Sequence, residues 1–125
     1  MAPVAHVAPV DRDADIRRAL ESLESDPADV EACLVLGRTA ADRGHAREAE
    51  AWLRRALHLR PRDAEACYLL ALLLKDRDAQ QSLALLADAL EGDPGCVMAL
   101  QLRGRLLHER GEARHAAAAL QGALK

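Results

Sequence analysis

The sequence predicts an all-α solenoid of antiparallel helix pairs, about seven helices in all. Three observations lead there. Ala and Leu make up well over a third of the chain, whereas the β-branched residues are six Val, Ile16 and Thr39. Ala and Leu are strong helix formers, and strands favour β-branched and aromatic side chains. Prolines recur at Pro27, Pro61 and Pro94, 34 and 33 residues apart, with the matching flanks SDPADVEAC, LRPRDAEAC and GDPGCVMAL. A period near 34 residues is that of stacked helix pairs.

The elements follow in order. Residues 1–11 open with MAPVAHVAPV, which has no Lys or Arg and is broken by Pro3, His6 and Pro9. That is not a secretory signal, and it reads as a flexible N-terminal tail. Residues 12–125 read as the repeat domain. A leading helix over Asp13–Ser25 precedes Pro27 and looks like the second helix of an incomplete repeat. The pairs run Val30–Arg43 with His45–Leu59, Ala64–Arg77 with Ala79–Glu91, and Val97–Arg110 with Glu112–Leu124. The repeats span about 30–63, 64–96 and 97–125. Asp29 and Asp63 stand where helix N-caps belong, with Glu31 and Glu65 in the first turn. The turns echo one another as Asp42-Arg43-Gly44, Asp76-Arg77-Asp78 and Glu109-Arg110-Gly111. They read as C-caps, with Gly in the left-handed conformation, or as an acidic ladder of Asp42, Asp76 and Glu109 along one edge.

Small residues recur in register: Gly37, Ala71 and Gly104; Ala49, Ser82 and Ala116; Ala56, Ala89 and Ala123. Leu53, Leu86 and Leu120 fall between the last two sets. Two helices approach closely only where both present small side chains. Gly37 against Ala49, and Gly104 against Ala116, would supply such crossings, so Leu at Gly104 should wedge the last pair apart.

With these residues the sequence resembles the tetratricopeptide repeat (TPR) family over residues 30–125. Cys33, Cys67 and Leu100 are smaller than the aromatic often found at their position in the family. Arg103 stands where the other repeats carry Leu36 and Leu70, which suits the wet end of a stack. The second turn is one residue short.

Several function classes are disfavoured. The formal net charge of −3 gives no drive toward nucleic acid or acidic lipid, and Trp52 and Tyr68 are the whole aromatic complement. The longest apolar run, Leu69–Leu74, is too short to span a bilayer. Cys33, Cys67 and Cys96 match no zinc spacing and read as small buried hydrophobes of a reducing compartment. The five histidines form no HExxH motif. No nucleophile elbow, phosphate loop or dinucleotide fingerprint is present. The expectation is a non-enzymatic cytoplasmic protein without cofactor or metal.

The resemblance implies a right-handed superhelix whose first helices line a concave groove for a protein or peptide partner. The matching positions include Leu34 and Arg38 in the first pair, Tyr68, Leu72 and Lys75 in the second, and Gln101, Arg105 and His108 in the third. A Leu/Tyr/Met floor with charges around it suits an extended peptide or an amphipathic helix. The chain has no Asn, which sets it apart from family members that clamp a C-terminal carboxylate with Lys and Asn. An adaptor is the first reading. A bacterial secretion or assembly chaperone is the second, and the TPR region of a larger enzyme the third. The Ala-rich last helix, Ala116–Ala119 with Leu120 and Ala123, offers a further surface for self-association or docking.

Overall fold

The computed structural model describes residues 12–123. The expected tail over 1–11 and the last two residues lie outside the described residues. Six helices make up the described chain, with no strand among them: α1 (Arg12–Ser25), α2 (Val30–Asp42), α3 (Ala46–Leu59), α4 (Ala64–Leu74), α5 (Ala79–Gly92) and α6 (Val97–Ala123).

The helix starts are set chemically. Asp29 accepts from the Ala32 amide at 3.2 Å, Asp63 from Ala66 at 2.9 Å and Asp78 from Gln81 at 3.1 Å. Asp78, which replaces the turn glycine of the first repeat, is thus the N-cap of α5. The end of α2 is a Schellman turn. The His45 amide donates to the Ala40 carbonyl at 2.8 Å and the Gly44 amide to Ala41 at 3.1 Å. Gly44 has φ 77°, a left-handed conformation that glycine enters without a Cβ clash.

Each helix packs on the next along the chain, and α2, α4 and α6 also touch in sequence. The first helices of the repeats therefore form one row, with α1, α3 and α5 behind it. The crossings use the small residues. A Cβ on Gly37 would lie 2.9 Å from Leu53 Cδ2, so Leu53 fills the space that the glycine leaves. Ala49 and Ala56 flank that crossing, fully buried. In the next pair the buried Ser82 hydroxyl donates to the Ala71 carbonyl at 2.7 Å. The core continues through Leu34, Leu70 and Leu74 to Leu86, Leu102 and Leu106.

The third pair differs from expectation. No turn forms at Gly111, and α6 runs as one helix of 27 residues from Val97 to Ala123. The described residues therefore form six helices, not seven. Gly104 and Ala116 do not cross, and a Cβ on Gly104 would meet nothing within 4 Å. Leu at Gly104 therefore has no facing helix to wedge apart, contrary to expectation. Two features favour the straight helix. Ala116–Ala119 is a run of the best helix former, and neither Gly111 nor Glu112 is a strong N-cap for a new helix. Arg103, exposed as expected, also keeps that face of α6 wet.

Candidate binding surfaces

The row of α2, α4 and α6 is the surface on which the candidate partner residues fall. On α4, Glu65, Tyr68, Leu72 and Lys75 follow one another at three- and four-residue steps, which places them on one face. Gln101, Arg105 and His108 do the same on α6. Tyr68 is half-buried, Leu72 is 37% exposed, and Gln101, Arg105 and His108 are exposed.

Leu34 does not join this face. It is 2% exposed and packs in the core cluster with Leu70 and Leu74. Arg38 is exposed, but its guanidinium is engaged: Nε donates to Glu65 Oε1 at 3.0 Å, and Nη2 contacts the same oxygen. That pair bridges α2 to α4. Lys75 Nζ lies 3.3 Å from Asp76 Oδ1, and His108 Nε2 lies 3.1 Å from Glu112 Oε1. Two of the three candidate cations, Arg38 and Lys75, therefore carry a carboxylate partner beside the apolar Tyr68–Leu72 patch. The acidic edge is also partly spent, since Asp42 pairs with Arg12 at 3.0 Å.

Sequence reasoning missed two cavities behind this row. One, of about 410 Å³, opens between α1 and α3 over α2, lined by Ile16, Leu20, Leu36, Arg43, His45 and Trp52. Its signal in the sequence is the four-residue step from Ile16 to Leu20 on α1 and the lone Trp on α3. The other, of about 390 Å³, lies between α5 and α6, lined by Lys75, Leu83, Leu106, Glu109 and Arg110. Among the described residues no helix folds back over that side of α6, where the sequence predicts one.

Cys33 and Cys67 are buried. Burial pushes the Cys33 thiol up, and burial with nearby Asp88 and Asp63 pushes Cys67 up to about 11. Both are protonated near neutrality and shielded, the opposite of an activated thiol. Among the described residues no group of three or more His, Cys, Asp or Glu is placed to hold a metal ion. No described helix is long and apolar enough to cross a membrane.

No protein-family model matches this sequence, and no curated protein does. Among solved structures, the crystal structure of MamA matches with a TM-score of 0.70 and 28% sequence identity, over 89% of this chain. The chain spans 66% of the length of that protein. MamA is a TPR-type helical repeat protein. The shared architecture and the repeated small-residue crossings make this chain a TPR-like helical solenoid.

Proposed function

We propose that the protein is a non-enzymatic adaptor that holds an extended or helical peptide segment of a partner along the row of α2, α4 and α6. The observation that carries this reading is the stripe of Tyr68 and Leu72 on α4, bordered by the Arg38–Glu65 pair and by Lys75. The apolar patch supplies contact area. Charge pairs at its rim can exchange their partners for those of an incoming chain, which fixes register more than it adds affinity. Arg105 and Gln101 extend the surface onto α6.

The likeness to MamA, a helical repeat protein, supports a protein partner over a small-molecule substrate. The net charge of −3 makes nucleic acid a poor fit. The test is a phage-displayed library of short random peptides panned against the full chain. Selected peptides should lose binding to Leu72→Asp and to Arg105→Glu while both variants keep their helical circular dichroism. Peptides that bind both variants as well as the parent place the site elsewhere.

A further inference from the structure

We infer that the cavity between α1 and α3 is the seat of this chain's own N-terminal segment, Pro3–Val10, with Val4, Val7 and Val10 against its apolar floor. The apolar character of this cavity is particular to the first repeat. It holds about 410 Å³ and is lined by Ile16, Leu20, Leu36, Thr39, Ala40 and Trp52 among others, a volume of the size that takes a ligand. The same groove recurs one repeat on, between α3 and α5, where the period brings Glu50, Arg54, Leu70, Leu73, Leu74 and Leu85 to those places. There Leu73 and Leu74 fill the floor that Thr39 and Ala40 leave low. Above it Glu50 pairs with Arg54 at 2.9 Å and with Arg77 at 3.1 Å. In the first groove Ile16 and Leu20 offer hydrocarbon instead, and Leu20 is 45% exposed.

The rim of the cavity carries charge, but that charge is paired. Arg43 Nη2 lies 2.6 Å from Asp13 Oδ1, and His45 Nδ1 lies 3.6 Å from Glu48 Oε2. An occupant with neither acid nor base suits such a site, because it brings no charge to be desolvated. Residues 1–10 contain no Asp, Glu, Lys or Arg. They also repeat in threes, as Pro3-Val4-Ala5, His6-Val7-Ala8 and Pro9-Val10. Polyproline II has three residues per turn, so in that conformation the valines share one side. Segments of this form dock in grooves that present an aromatic ring. Trp52, the only Trp of the chain, is half-buried in the cavity lining.

The segment joins the fold at the cavity mouth. Arg12, the first residue of α1, pairs with Asp42 at 3.0 Å, and Asp13 pairs with Arg43, which itself lines the cavity. Ile16 and Leu20 stand one and two turns further along α1, with Leu20 about 12 Å from Arg12. Val4 to Val10 spans about 19 Å in polyproline II. A turn at Asp11 therefore lays the three valines along the whole of that floor.

The experiment reads Trp52 fluorescence in the full chain. The variant carries Val4→Ser, Val7→Ser and Val10→Ser, none of which touches the described helices. Its Trp52 emission should move to the red and acrylamide should quench it faster than in the parent, at equal helical circular dichroism. Identical emission and quenching in the two proteins overturn the docking. In a Leu20→Arg background, which gives the first groove the residue of the second, the serine changes should shift nothing further. A further shift of the same size places the segment elsewhere and overturns the site. The difference between parent and variant should persist on dilution. If it fades, a second copy supplies the segment, and docking within one chain is wrong. The cavity lies behind the row of α2, α4 and α6, so each of these outcomes is independent of the peptide groove.

Discussion

The hydroxyl of Ser82 donates to the carbonyl oxygen of Ala71 at 2.7 Å, wholly buried where α5 crosses α4. The first repeat has Ala49 and Gly37 at these positions, so the second repeat accommodates a larger residue on each helix and binds them with a hydrogen bond. Ser82→Ala removes the donor without leaving a large void. It should cost about 1 kcal/mol, the net worth of a neutral hydrogen bond. Ser82→Leu should cost more, about 1–3 kcal/mol, by overpacking. Urea denaturation of the two variants checks the order, and equal midpoints would contradict the crossing.

Gly37 and Gly104 hold equivalent places in the repeats and should respond oppositely. A methyl on Gly37 lies 2.9 Å from Leu53, whereas one on Gly104 meets open space. Gly37→Ala is expected to destabilise by about 1–2 kcal/mol, since Leu53 is locked in the core. Gly104→Ala should stabilise by up to about 1 kcal/mol through helix propensity. Thermal melts of the pair read the sign directly.

Gly92 ends α5 against the loop before α4. A Cβ there would sit 2.2 Å from the carbonyl oxygen of Arg62, a backbone atom with no rotamer to escape into. Gly92→Ala should therefore displace the loop that Asp63 opens for α4, at a cost of about 2–3 kcal/mol. Hydrogen exchange at the Ala66 amide, which Asp63 caps, should speed up in this variant.

Acid should loosen the junction between the first and second repeats. Glu50 accepts from Arg54 at 2.9 Å and from Arg77 at 3.1 Å, and these hydrogen bonds hold its carboxyl below the usual value of 4.5. Asp29 is likewise lowered, by the Ser22 hydroxyl and the Ala32 amide. A depressed carboxyl pKa contributes stability that is present above the unfolded value and lost as pH falls through the folded one. The urea midpoint should fall between about pH 5 and pH 3. Glu50→Gln should flatten that slope, because it removes one of the linked protons.

Much of the fold was legible because it depends on local chemistry. Asp29 and Asp63 cap where expected, Gly44 turns where expected, and Leu53 and Leu86 fill the crossings. The third turn was misread because Arg110-Gly111 carries the same letters as Arg43-Gly44. What separates them is not in those letters. Leu36 and Ala40 give the first hairpin an apolar face to close upon, whereas Arg103 weakens the third, and Ala116–Ala119 favours continued helix. The partner surface was half legible. Three- and four-residue steps placed Tyr68, Leu72 and Lys75 on one face. The Arg38–Glu65 bridge and the burial of Leu34 depend on how far α2 is rotated against α4, which one helix's sequence does not encode.

The inter-repeat ion pairs have a mechanical consequence. Arg38–Glu65 ties α2 to α4 on one side of the stack. Glu50–Arg77 at 3.1 Å and Arg62–Glu91 at 3.3 Å tie successive repeats elsewhere. Each is exposed enough to add little to folding, yet each acts at a long lever arm from the buried crossings. They work as guy-wires that set the bend between repeats, and salt slackens them. The pitch of the solenoid should therefore relax as ionic strength rises, while the buried crossings of the core hold.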